Sequence, residues 1–416
     1  MTSFETAVIV LGALLMGGAL VSGLANRSLL SLTAVFVVAG FVLGDGVTGA
    51  LHFSARSGFV KDLALLALIL ILFRDGLEVE REMLQTQWRL PLRKLVLGMP
   101  ITAGVVAVAG KGIVGLTWTE AFLLGSILSA TDPVLSSSVV TNPRVPRIIR
   151  HSLNLESGLN DGLALPPVLA FAAALDAAGG HFVWWKFVLQ DVSLGVAYGV
   201  VVGFLASRLL PRGEQFRESM PAHQRSLYAL GTALLTYGLT VAPPHGNGLI
   251  AVFVCAITLG IRRPEIRHYF EARADDVIEI VKLGIFVVFG SLLTFHGLFQ
   301  DGWAAVGLVA VALLLARPAA LTVALAGTGL DRATKAFMAW FGPKGVASMT
   351  FALIVASRSG IAAGTRIFDL VALVVICSVI VHGLTDVPGA AWIARRAERE
   401  DEAELARPAA AGPRAA

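Results

Sequence analysis

A chain of 416 residues that is 56% hydrophobic and 15% charged, with a mean hydropathy of +0.76, lacks the polar residues needed to cover a water-soluble surface. Its apolar runs recur at roughly 20 residues, the length that crosses a bilayer as a helix. The net charge of +4 does not imply a nucleic-acid partner, because the basic residues sit in short loops between apolar runs.

The fold class that follows is an all-α polytopic membrane protein embedded in lipid. Thirteen spans are predicted, at about 4–23, 28–45, 58–73, 95–116, 119–140, 148–174, 184–210, 225–242, 247–261, 276–297, 302–325, 335–357 and 367–388. The first lacks a basic leader and a clear cleavage site and reads as a retained span. One set of alternate loops collects Arg27; Arg74, Arg81, Arg89, Arg93 and Lys94; Arg144 to Arg150; Arg208 to Arg225; Arg262 to Arg273; Arg332 and Lys335; and the tail arginines. The other set holds little beyond Arg56, Lys111, Lys186, Arg358 and Arg366. Positive loops mark the cytoplasmic side. The N-terminus is then expected outside and the C-terminus in the cytoplasm, which demands an odd number of spans. The tail from about residue 394 reads as a short amphipathic or frayed segment. Cys255 and Cys377 fall inside spans as buried free thiols, and the eight histidines show no metal-ligand spacing. No cofactor is implied.

Two spans carry breaks at matching places, Thr131-Asp132-Pro133 in span 5 and Gly342-Pro343-Lys344-Gly345 in span 12. Such pairs mark inverted-repeat transporters, here with spans 1–6 and 8–13 as halves and span 7 as linker. Pro133 lacks a donor and pushes Asp132 out of helical geometry, so span 5 should open near Ala130 and Thr131. Free carbonyls at membrane depth are tolerated only inside protein or along a cavity. Carbonyls, a hydroxyl and a carboxylate are the hard oxygen ligands that a small cation prefers. The plainer alternative is a proline kink with Asp132 capping the second half-helix, and capping is compatible with ligation.

On span 6, Ser157 and Asp161 share one helical stripe and Glu156 and Asn160 the next. Gly158 and Gly162 leave room for another helix. Ionisable groups at this depth usually mark an ion pathway or proton relay. Glu156 suits a buried pair with Arg317, which needs a partner. Too few bases remain to neutralise Asp161, so it is read as functional. Lys344 is expected to offset the negative carbonyl ends of the broken helices, the alternative being a lysine that snorkels to the surface. His296 and His382 read as satisfied polar residues near span ends, and Glu279, Lys282 and Asp191 as span-edge or interhelical pairs.

Taken together, Ala130-Thr131-Asp132-Pro133, Glu156-Ser157 with Asn160-Asp161, Ala316-Arg317-Pro318 and His382-Gly383-Leu384-Thr385 resemble the monovalent cation/proton antiporters, specifically the NhaP-like sodium/proton exchangers. The resemblance implies a transporter that is not an enzyme, an NhaA/NhaP-like fold with inverted repeats and two interrupted crossing helices, and a homodimer in the cell membrane. It implies scaffold and dimerisation helices in 1–94, core transport helices in 95–181 and 301–390, the linker and remaining scaffold in 182–300, and a cytoplasmic tail in 391–416. The core would move against the scaffold as an elevator. Asp161 would carry Na+, or Li+ or K+, and H+ in turn, with Asp132, Ser157 and Thr131 completing the site. Asn160, Glu156, Arg317, Lys344 and Pro133 would support it. An Asn-Asp pair is typical of the electroneutral branch. Two departures bear on ion preference: Lys344 where the family often has arginine, and Phe73-Arg74-Asp75-Gly76-Leu77, where many members place an acid directly after the phenylalanine. The rival readings are a cation channel, and an intramembrane aspartyl protease whose Gly-x-Gly-Asp signature is spoiled here by Asn160.

Overall fold

In lipid a chain must satisfy its own backbone polar groups, and the apolar runs of this sequence do so as helices. The computed structural model of the protein describes residues 9, 12, 13, 15, 16, 32–79, 88–132, 139, 142–176, 183–211, 220–243, 245–358 and 360–405, and among them there is no strand. Span 2 is Leu32–Leu43, span 3 Gly58–Leu77, span 4 Arg89–Gly112, the first half of span 5 Trp118–Ser129, and span 6 Arg147–Asp176. Span 7 is Trp184–Leu209, span 8 Ala222–Val241, span 9 Gly248–Arg262, span 10 Glu265–Ser291 and span 11 Gly302–Ala324. Span 12 divides into Arg332–Trp340 and Val346–Ser357, and span 13 runs through Gly364–Leu405. Five of these (spans 4, 6, 7, 11 and 13) are by themselves long and apolar enough to cross a membrane. The protein is a multi-pass, all-α membrane protein.

Local sequence sets several helix starts. Thr117 and Glu120 form a reciprocal capping box ahead of span 5. Asn247 accepts from the first N–H groups of span 9, and Asp331 does the same for span 12.

Three expectations need adjusting. Span 10 begins earlier than predicted and ends at Ser291, and Thr294 then caps a separate short helix, Phe295–Phe299, that carries His296. The tail is not frayed at residue 394, because span 13 continues as helix to Leu405. Tertiary contacts hold this extension: Trp392 stacks on Phe337 at 6.3 Å between ring centroids, and Arg396 lies 3.5 Å from Asp331. Lys94, counted among the loop charges, is instead fully buried. Span 1 lies mostly outside the described residues, as do 133–138 in the second half of span 5.

Spans 7, 8 and 9 pack together, span 10 packs on spans 2, 3 and 8, and span 3 lies along span 9. Spans 4, 5, 6 and 11 form a second set of neighbours, with span 12 against span 13. Span 3 also packs along the second half of span 12. A separate apolar cluster, including Ile149, Leu321, Phe337 and Ile393, ties the start of span 6 and the end of span 11 to spans 12 and 13.

Candidate cation-binding site

The two breaks meet and satisfy one another. Span 5 leaves helical geometry at Ala130 (φ −62°, ψ 145°), and the first half of span 12 ends at Phe341 (φ −78°, ψ 98°). The Asp132 N–H donates to the Pro343 carbonyl at 2.8 Å, joining one break to the other. The Val346 N–H donates to Asp132 Oδ2 at 3.3 Å, and the Ser348 hydroxyl to the Ile127 carbonyl at 2.9 Å. Asp132 therefore caps the second half of span 12, across the crossing; whether it also caps the second half of its own span falls outside the described residues. Gly345 makes this possible, since a Cβ there would run into the Asp132 carboxylate.

Asn160 reaches the same place from span 6. Its Nδ2 donates to the Thr131 carbonyl at 3.1 Å and to Thr131 Oγ1 at 2.5 Å. The carbonyl freed at Thr131 is thus met by Asn160. Asp161 is buried beside it, and the charges of Asp75, Asp132, Arg74 and Lys344 all act on it. Asp161 Oδ1, Asn160 Oδ1 and Lys344 Nζ have no hydrogen-bond partner among the described residues. Buried polar atoms without partners are costly and call for a bound group. Two such oxygens next to a carboxylate-rich crossing suit a cation or a proton. Ser157 lies on span 6 as predicted, but its side chain is outside what is described, and so is Pro133.

The space left by the span 6 glycines is filled as expected. Asp75 of span 3 lies over Gly158, where a Cβ would stand 3.4 Å from the Asp75 carbonyl oxygen, and the Phe253 ring of span 9 covers Gly162.

Glu156, one turn before Asn160 on the same stripe, anchors a second buried network. Its two oxygens take Arg317 Nη1 at 2.6 Å and Nη2 at 3.0 Å, a bidentate pair. Lys94 Nζ pairs with the same carboxylate and donates to Ser152 Oγ at 3.1 Å. Lys94 opens a short π-helical turn, Lys94–Gly98, that packs on Arg317–Ala324 of span 11, and a second such turn, Val311–Ala316, leads into Arg317 and packs on Met99–Gly112 of span 4. Arg317 also donates to the carbonyls of Met338, at 3.3 Å, and Phe341, at 3.1 Å, where the first half of span 12 ends. The negative helix end is thereby offset by Arg317 rather than by Lys344, whose ammonium makes no such bond.

Two participants were missed by sequence reasoning. Lys94 hides at the end of a run of loop arginines, and only the single carboxylate shared with Arg317 reveals it. Asp75 was noted as a departure but not as a neighbour of the site. It is buried, it takes Arg74 at 2.9 Å, and it brings a third carboxylate from span 3 to Asp132 and Asp161. His382 is buried and bonded, and Lys282 pairs with Glu279 at 2.7 Å on one helix.

Comparison with known proteins agrees with this architecture. The chain is 25% identical over 410 residues to the K(+)/H(+) antiporter NhaP of Alkalimonas amylolytica, covering 96% of this chain and 69% of that one. It is 25% identical over 379 residues to the K(+)/H(+) antiporter NhaP2 of Shewanella oneidensis, covering 90% and 64%. This chain thus spans about two thirds of the length of these curated relatives. The fold matches the solved structure of the sodium proton antiporter MjNhaP1 from Methanocaldococcus jannaschii with a TM-score of 0.78 at 17% identity, over 94% of this chain and 100% of that one. The family model described as sodium/hydrogen exchanger, transmembrane, matches residues 10–392, and the chain belongs to that family.

Proposed function

We propose that the protein is a secondary antiporter that exchanges a monovalent cation for protons, with Asp161 carrying each in turn. The observation behind this reading is the buried Asp161 carboxylate, with an unpartnered oxygen, set against the crossing of two interrupted helices. Asp132, Thr131 and Ser157 complete the ligand set, and Asn160 and Pro133 support it. Glu156, Arg317 and Lys344 support the site. Sodium is the first ion to test. Potassium stands beside it because two relatives are named for potassium/proton exchange.

Exchange is electroneutral, since Asn160 leaves Asp161 as the one adjacent carboxylate on span 6 able to swap cargo. Spans 4–6 and 11–13 move as a core against a scaffold of spans 1–3 and 8–10, in an elevator motion and within a homodimer. Support comes from the packing, in which each set has its own internal neighbours and span 3 lies where they meet. The protein sits in the cell membrane with its N-terminus outside and its C-terminus in the cytoplasm, a reading supported by the loop charges.

The test is proton flux in vesicles reconstituted with the full chain, against Na+, Li+ and K+ in turn. Saturable, cation-driven proton counterflow is expected, and an unsaturable current without proton coupling would favour a channel.

A further inference from the structure

The sequence left His382 as a satisfied polar residue, but its partners give it more to do. Span 12 is unwound from Phe341 to Gly345. One end of that turn exposes the Trp340 carbonyl and the other the Lys344 N–H, groups that an intact helix would pair. Both are met by one face of span 13. Ser378 Oγ accepts from the Lys344 N–H at 2.8 Å, and His382 Nε2 lies 3.0 Å from the Trp340 carbonyl oxygen. His382 Nδ1 lies 3.2 Å from Ser378 Oγ and 2.9 Å from the Ser378 carbonyl. Ser378 and His382 are four residues apart, so they stack on the same helical stripe.

The Lys344 N–H donates to Ser378 Oγ, and the two ring nitrogens of His382 link Ser378, on one side, to the Trp340 carbonyl on the other. The chain of bonds closes around the unwound turn and is buried at both members. That turn is also what holds Asp132. Pro343 receives the Asp132 N–H on one side of Lys344, and Val346 donates to the Asp132 carboxylate on the other. A displacement at Lys344 therefore reaches Asp132 from both directions.

We propose that Ser378 and His382 are positioning residues for the ion site: they fix the unwound turn of span 12, and through it Lys344 and Asp132, without touching the transported ion. The inference rests on the proposed reading of Asp132 and Asp161 as ion ligands.

The test uses the full-length protein in vesicles, with proton flux read at a series of cation concentrations. Ser378→Ala should raise the apparent KM about fivefold, the size of one neutral hydrogen bond, with maximal rate retained and the protein still folded. Ser378→Thr keeps the hydroxyl and should restore the parent KM. His382→Gln, which retains a donor for Trp340, should fall between parent and His382→Ala. Ser378→Ala combined with His382→Ala should cost little more than one change alone, because both break the same chain of bonds. Ile380→Ala, on the exposed side of the helix, should leave KM unchanged. If exchange by the parent is normal and Ser378→Ala leaves KM unchanged, or lowers maximal rate and stability alone, this inference falls and the antiport reading stands. Should the parent show no exchange with any alkali cation, the functional reading falls and takes this inference with it.

Discussion

Removing the Glu156 carboxylate should be the most damaging change in the buried network, and the geometry sets how damaging. Glu156→Ala deprives Arg317 of both bidentate bonds and Lys94 of its counter-charge. Arg317 keeps the carbonyls of Met338 and Phe341, and Lys94 keeps Ser152. Two cations then face each other in a site with nothing negative between them. Losing one partner of a buried pair costs about 3–5 kcal/mol. Here one carboxylate serves two cations, so the loss should reach about 5 kcal/mol, the upper end of that range. Arg317→Ala leaves Glu156 paired with Lys94 and should cost about 3 kcal/mol, at the lower end. Lys94→Ala leaves the bidentate pair intact and should cost least. Equilibrium unfolding of the four combinations at positions 156 and 317, in mixed micelles, gives the cycle directly. The double change should cost less than the sum of the singles by about 1–3 kcal/mol. Additive losses, or Arg317→Ala proving worse than Glu156→Ala, would refute the shared-carboxylate reasoning.

Asp161→Asn keeps volume and hydrogen bonding but removes the charge, and should abolish cation-driven proton flux while the protein still elutes as a folded species; more than about a tenth of parental turnover would count against the role. Apparent KM for the cation should rise about tenfold per pH unit on the acidic side, as one proton competes with one cation, and level off on the alkaline side. A fall in maximal rate at constant KM would point instead to a separate pH gate. Clamping the vesicle potential should leave the exchange rate unchanged if the cycle is electroneutral, and a rate that scales with voltage would argue otherwise. Gly345→Ala places a methyl group against the Asp132 carboxylate, so it should weaken cation affinity at least as much as Asp132→Asn, measured by the same flux titration.

The two breaks were readable because proline and glycine interrupt apolar runs, a purely local signal. The Glu156–Arg317 pair was readable from charge balance, since a buried arginine must find a carboxylate. What those breaks do to each other was not. Asp132 caps a helix 214 residues away in sequence, and no local periodicity encodes a contact of that range. Lys94 was misassigned because at a span edge the same residue type serves either as a topology signal or as a buried partner, and only packing decides. The compensation of the helix end was given to Lys344 on proximity alone, whereas the longer, forked guanidinium of Arg317 reaches two carbonyls at once. The charges of the tail left it open between an amphipathic and a frayed segment, and Trp392 and Arg396 dock it as helix on the first half of span 12.

The bond from Asp132 to Pro343 also constrains how such a chain can be made. Span 5 leaves the ribosome some 210 residues before the segment that accepts its free N–H, a gap in which most of the protein has yet to be synthesised. During that interval the Asp132 N–H lacks its eventual partner, and exposed backbone in lipid is costly. Span 5 must therefore wait partly inserted, borrow a temporary partner, or remain near the interface until span 12 arrives. The crossing of the two breaks is therefore completed only once span 12 is in place. Release of a chain short of residue 343 would strand the first half in a state that quality control should recognise.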